Sequence, residues 1–307
     1  MNSSHNHSFC STPEITSVYK TTAIITSTLA IPLSISATVG NFSIIMALIK
    51  NKRLQTQSNI ILGSLCVTDL LIGVVVLPVF IARRMMEISH SVGRDYCILT
   101  DFHQYISYLM AGASIVTMAL ISLDRWFAIC FPFKYQNNES KSRYIIIILI
   151  IWLIMIVLLL LPFIGVEQKA LYLGAASFVG LSTIIIVVCY FNIYLVVLRH
   201  KRKIVAVSVS QVEASDMRTR RPAEKRRANT IAIVILFLII CYIPHGVIIS
   251  IKSISKNSMY VASRWGELVV LMNGCINPVV YCWRSSDIRQ ELKGLFKWKN
   301  ERVQFVR

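Results

Sequence analysis

Seven long, nearly uncharged stretches constrain this chain more than any other feature. They run Ala23–Ile49, Asn59–Ala82, Phe102–Leu123, Tyr144–Val166, Ala170–Leu198, Ala228–Ile251 and Trp265–Trp283. Only Asp69 and Glu267 interrupt them with charge. A bilayer core takes about 20 apolar residues in helical form. Inside hydrocarbon each backbone N–H and C=O must find a partner within the chain, so blocks of this kind are helices. Of the 307 residues 55% are hydrophobic and 15% charged, against about 25% charged in soluble domains. The expected fold is an all-α membrane protein, a seven-transmembrane helix bundle. Pro32, Pro78, Pro162, Pro244 and Pro278 fall within or near the ends of five blocks, where neighbouring helices can tolerate the kinks they impose.

Orientation follows from lysine and arginine. The segment before block one and the loops after blocks two, four and six carry 8 of the 32 basic residues. The other connections and the tail carry the remaining 24. Positive residues stay cytoplasmic, which places the N-terminus outside. The net charge of +17 is then a cytoplasmic basic face suited to anionic lipid and acidic partners, and does not point to nucleic acid.

Three divisions are expected: residues 1–22 as an extracellular glycosylated tail, 23–283 as the helical domain, and 284–307 as a cytoplasmic helix and tail. Asn2 and Asn6 begin the sequons NSS and NHS; the NFS at Asn41 lies inside block one and is discounted. No short apolar run with a small-residue cleavage site precedes block one, which is expected to act as its own signal anchor. Of eight cysteines, Cys10 and Cys97 face the oxidising side; they pair with each other, or stay free or paired otherwise. The stretch DIRQELKGLFKWKN spaces Ile288, Leu292, Leu295 and Phe296 on one helical stripe. It reads as an amphipathic interfacial helix with Asp287 as its cap; a disordered basic tail is the alternative.

Six motifs fall in order on the blocks: GNFSI at Gly40, LCVTDL at Leu65, LDRWFAICFPFKYQ at Leu123, Trp152, CYIPH at Cys241 and NGCINPVVY at Asn273. Together they resemble the rhodopsin-like (class A) G-protein-coupled receptors over nearly the whole chain. The resemblance implies a plasma-membrane receptor whose partners are an extracellular ligand, a heterotrimeric G protein, arrestin and membrane lipids. It implies no enzyme and no nucleic acid, and no cofactor beyond an allosteric sodium ion.

The resemblance also assigns residues. Asp124 and Arg125 form the charged pair after block three, with Trp126 replacing the usual tyrosine. Arg125 is expected to reach Glu224, twenty residues before Pro244 and so about 30 Å along a helix. Release of this latch would turn Arg125 toward Tyr190, Tyr281 and the G protein, while Pro132 and Phe133 insert into that partner. The alternative is a surface ion pair worth about 0–1 kcal/mol. At mid-membrane the resemblance surrounds Asp69 with Ser114, Asn273 and Asn277, and places Asn41 near by. Asp69 and Ser114 are then sodium ligands, or Asp69 is protonated within a structural network. Tyr242 replaces the usual tryptophan two residues before Pro244 and, with Pro278, forms the toggle. Ser182 stands where a proline is usual in block five.

For the ligand, Ser107 occupies the position of the aspartate that binds amines, and block seven holds no lysine for retinal. Asp101, His103, Gln104, Ser107, His245 and Glu267 are the polar pocket candidates. Glu267 would pair a cationic ligand, or else Arg83, Arg84 or Arg264. His103 and His245 are read as packing residues more readily than as contacts. No cysteine lies between Phe131 and Val188, so the family's usual outer-loop bridge cannot form, and that loop is short. Both features resemble melanocortin, adenosine and some lipid receptors and favour a peptide or lipid ligand over a monoamine. The alternatives are a transporter or channel that uses Asp69 and Glu267, and a non-signalling receptor-like protein.

Overall fold

The computed structural model describes residues 16–91, 93–137, 140–166, 168–207, 240–248, 251 and 260–294. These residues are helical apart from short connections. Helix α1 (Ser17–Lys50) begins ahead of the apolar block because the Thr16 hydroxyl accepts from the Tyr19 N–H at 3.3 Å. Its polar residues are satisfied within the helix: the Thr22, Thr26 and Ser27 hydroxyls donate to carbonyls one turn back at 2.7–2.8 Å. Such back-bonding lets a hydroxyl-rich sequence sit in lipid.

Block two forms α2 (Gln57–Leu71), a π-helical turn (Ile72–Val76) and α3 (Leu77–Ile88). The widened turn lies just before Pro78, which has no N–H to give and could not continue regular bonding. Gly73 is required there. A Cβ at this position would come within 2.7 Å of the Thr38 hydroxyl and 2.8 Å of its backbone nitrogen on α1.

Helix α4 (Arg94–Cys130) is the central element and packs against α2, α3, the short α5 (Pro132–Asn137), α6 (Lys141–Leu160) and α7 (Gln168–Val207). Block six is described over 240–248 (α8). Block seven forms α9 (Tyr260–Arg284), and residues 286–294 form α10. Five described spans are long and apolar enough to cross a bilayer: Ser17–Lys50, Gln57–Ile88, Arg94–Cys130, Lys141–Leu160 and Ser177–Val196. Helix α6 buries only Met155 and exposes Ile145, Ile146, Leu149 and Leu153, as a lipid-facing helix must. Trp152 on the same helix anchors it to α2, its indole N–H donating to Ser64 Oγ at 3.2 Å.

Three apolar clusters hold the bundle. One joins Leu65, Ile115, Tyr190, Cys241, Tyr242 and Val270 across α2, α4, α7, α8 and α9. A second, built on Ala30, Val76, Phe80, Met110 and Leu271, holds α1 to α3, α4 and α9. A third seats Ile288 of α10 against Ile44, Leu48 and Leu62. Ile288 and Leu292 of the stripe on α10 therefore pack on the bundle. The cap differs from the expected Asp287: Ser285 Oγ accepts the Ile288 N–H at 3.3 Å. Leu295 and Phe296 lie outside the described residues.

Candidate functional site

Polar groups gather at three levels. At the level of α5, Asp124 near the end of α4 is 3% exposed. Its carboxylate accepts three hydroxyls: Ser58 of α2 at 2.5 Å, Tyr135 of α5 at 3.0 Å and Tyr144 of α6 at 2.8 Å. Ser58 Oγ also lies 3.1 Å from the Tyr135 hydroxyl. Burial raises the pKa of the Tyr135 hydroxyl, which keeps it a donor. Arg125 Nε stands 3.9 Å from Asp124 Oδ2, and the Arg125 side chain is 35% exposed. Neutral donors thus satisfy the aspartate, and among the described residues its hold on the neighbouring guanidinium is a single 3.9 Å contact. Ser58, Tyr135 and Tyr144 come from three separate segments, so no local pattern in the sequence announces them.

Around this site, Pro132 and Phe133 are both exposed, Phe133 by 82%. Tyr190 is buried in the apolar cluster on α7, and Tyr281 packs against two clusters. Glu224 lies outside the described residues.

At mid-bundle Asp69 is fully buried. Asn277 Nδ2 donates to its Oδ2 at 2.8 Å. Ser114 and Tyr242 are neighbours of the carboxylate, and Asn273 of Tyr242. Asn41 Nδ2 donates to the carbonyls of Ala37 and Gly274 at 2.9 and 3.0 Å. Asp69 Oδ1, Ser114 Oγ and Asn41 Oδ1 are buried without a hydrogen bond of good geometry. Unfilled oxygens of this kind, one of them on a carboxylate, form a donor set that suits a hard monovalent cation. Pro278 is buried against α1, where a Cβ on Gly40 would stand 2.9 Å from its ring. Tyr242 is buried, and Pro244 is exposed on α8.

At the other end of the bundle lies a buried ionic cluster. Arg83 Nη2 donates to both Glu267 oxygens at 3.0 and 2.8 Å. Arg84 Nη1 donates to both Glu87 oxygens at 3.1 Å, and its Nη2 to Glu267 at 3.0 Å. His103 Nδ1 is 3.2 Å from Glu267 Oε1, and His103 Nε2 is 3.4 Å from Ser107 Oγ. Arg264 pairs with Glu87 at 2.9 Å and bonds the Tyr19 hydroxyl, while Tyr96 donates to Glu87 at 2.7 Å. Phe80 stacks beneath Arg84, 4.5 Å from ring centroid to guanidinium carbon.

Of the expected partners of Glu267, Arg83 and Arg84 are therefore engaged, and Arg264 goes to Glu87 instead. His245 is within electrostatic range of Glu267, and Gly266 makes room for its ring: a Cβ there would stand 2.9 Å from Nδ1. Asp101 and Gln104 are half-buried on α4. Glu87, Tyr96 and Tyr19 were not expected from the sequence. The Arg84–Glu87 spacing of three residues was a usable sign. Cys97 is disulfide-bonded, and Cys66, Cys130, Cys189, Cys241, Cys275 and Cys282 are free. Cys10, Asn2 and Asn6 lie outside the described residues.

The described residues form a helical bundle with several spans long and apolar enough to cross a membrane, with polar groups gathered at both ends and at its centre. The family described as 7 transmembrane receptor (rhodopsin family) matches residues 40–172 and 166–281, and the chain belongs to it. It is 23% identical over 300 residues to a bombesin receptor of Bombina orientalis, covering 88% of this chain and 75% of that receptor. It is 25% identical over 293 residues to galanin receptor 2a of Danio rerio, covering 91% and 79% respectively. It is 22% identical over 305 residues to the alpha-1A adrenergic receptor of Oryzias latipes, covering 84% of this chain and 63% of the receptor's length. The chain is thus a G-protein-coupled receptor of the rhodopsin-like family, non-enzymatic and multi-pass. The three relatives do not single out a subfamily.

Proposed function

We propose that this receptor lies in the plasma membrane with its N-terminus outside and transmits the binding of an extracellular ligand to a heterotrimeric G protein. The ligand enters at the end of the bundle that holds Glu267. The response is the separation of α4 and α8 at the opposite end, where Arg125 trades Glu224 for Tyr190, Tyr281 and the G protein. Phe133 and Pro132 dock the same partner, arrestin competes for the surface, and membrane lipids solvate the helices. Asn2 and Asn6 carry glycans, and Cys10 bridges to Cys97. The observation that carries this reading is the division of labour at Asp124. Three hydroxyls hold the carboxylate, and among the described residues Asp124 holds Arg125 only by a contact of 3.9 Å, which suits Arg125 to be the moving part of a two-state switch.

A sodium ion at Asp69 and Ser114, with Asn41, Asn273 and Asn277 around it, would supply positive charge that favours one shape of the bundle. The unfilled oxygens at Asp69, Ser114 and Asn41 support that assignment.

The test needs no ligand. The full chain in lipid nanodiscs is mixed with heterotrimers of each G-protein class, and nucleotide exchange is followed. Glu224→Gln, which removes one side of the latch, should raise ligand-independent exchange over wild type with at least one class. No acceleration by either form with any class would reject the reading.

A further inference from the structure

The buried ionic cluster carries more positive than negative charge. Among the described residues, Arg83, Arg84 and Arg264 bring three guanidiniums, and Glu87 and Glu267 bring two carboxylates to the connected ion pairs. A proton on His103, which touches Glu267, would enlarge the surplus, so the sign does not depend on that ring. Water has little access to two of the three guanidiniums: the Arg83 and Arg84 side chains are 3% and 0% exposed, against 11% for Arg264. A buried charge without compensation is costly.

The hydrogen bonds lean the same way. Arg83 Nε and Arg84 Nε are buried without acceptors. Glu267 already receives Arg83 on both oxygens, Arg84 on one and the His103 contact on the other. The cluster has donors to spare, while Glu267 and Glu87 each already accept several hydrogen bonds or ion pairs.

From this we infer that the ligand presents a carboxylate, taken up by Arg83 and Arg84 beside Glu267; the inference rests on the receptor reading above and names the ligand class for it. A monoanion matches a surplus of one charge, whereas a phosphate dianion overshoots it. Two oxygens in a plane match the fork of a guanidinium. An ammonium ligand would meet three guanidiniums beside a carboxylate that already accepts three guanidinium hydrogen bonds. The incoming acid also competes with Glu267 of α9 for Arg83 of α3. Binding therefore loosens a direct bridge between two helices, which gives the ligand a differential contact with which to shift the bundle.

The test uses the full chain in nanodiscs and follows its thermal unfolding midpoint. The probes are octanoate and an N-acetylated dipeptide acid, each against its neutral amide, with octylamine as the cationic control. At least one acid should raise the midpoint saturably while its amide does not, and which acid does so separates a lipid-derived from a peptide-derived carboxylate. Glu267→Gln, which removes the competitor, should tighten the effective acid by about tenfold, and Arg83→Gln should weaken it by about tenfold, a change equivalent to ~1.4 kcal/mol. If Arg83→Gln does not fold, Glu267→Gln carries the test alone. No rise with either acid, equal rises for acid and amide, or an octylamine response abolished by Glu267→Gln would overturn the inference. This readout involves no G protein, so its failure is distinct from failure of the exchange assay.

Discussion

Asp124, buried, and Glu267, half-buried, are carboxylates near the ends of the bundle, and their surroundings are opposite. Asp124 is held by Ser58, Tyr135 and Tyr144, all neutral donors. Glu267 is held by Arg83, Arg84 and His103. Hydroxyls satisfy a carboxylate without neutralising it, so the charge of Arg125 is not used up at its own end. Guanidiniums neutralise, and at the other end they do so with one to spare. On the function and ligand class proposed above, the two ends would serve different tasks: one would offer a cation to a partner protein, the other would hold positive charge for a ligand.

The contrast breaks most visibly at Glu87. Glu87→Gln leaves Arg84 and Arg264 short of a partner in a cluster already one positive charge in excess, and loss of one member of such a buried pair costs about 3–5 kcal/mol. Thermal unfolding should show a larger drop for this variant than for any change at the hydroxyl cage or at Arg125. A loss no bigger than that of a surface mutation would mean that water reaches the cluster. At the hydroxyl cage the expected losses are smaller. Tyr144→Phe removes one hydrogen bond to a charged group, worth about 1.5–3 kcal/mol, and the same change at Tyr135 should be felt in the same direction. If Tyr144→Phe is silent, the cage does not hold Asp124.

The mid-bundle site gives a ligand-linked effect in place of a fixed one. Replacing an organic cation by sodium should raise the unfolding midpoint of wild type, by mass action on a site present only in the folded bundle. Asp69→Asn should remove that dependence. A sodium effect retained in Asp69→Asn would place the ion elsewhere. The smallest stability change belongs to Arg125 itself. The 3.9 Å contact is longer than a hydrogen bond, Arg125 is about a third exposed, and three hydroxyls already satisfy Asp124, so Arg125→Ala should leave the midpoint nearly where it was.

How much of this could be read from the chain varies with the range of the interactions. The blocks that form α1, α4 and α6 were visible because lipid imposes one rule on every residue of a span. Asn277 was named beside Asp69 by the family resemblance, and the two share a hydrogen bond of 2.8 Å; the lone carboxylate itself was legible because such a group in a span has to find polar company. The π-helical turn at Ile72–Val76 left no periodic trace, although Pro78 marked its neighbourhood. The start of α1 depended on Thr16, a cap lying outside the apolar block, and α10 starts from Ser285 in place of Asp287 for the same kind of local reason. Ser58, Tyr135 and Tyr144 were missed altogether. Each is an ordinary hydroxyl on its own segment, and only the packing of α2, α5 and α6 around α4 makes them a set. Glu267 was legible as a charge in need of a partner, but the choice between Arg83, Arg84 and Arg264 was settled by where α3 and α9 meet.

The most direct test of the switch joins two readouts on one sample. In the Glu224→Gln background, Arg125→Ala should bring nucleotide exchange on the G protein down to the receptor-free rate while the unfolding midpoint stays within about 1 kcal/mol of its parent. Exchange that continues at the parent rate without Arg125 would contradict the account.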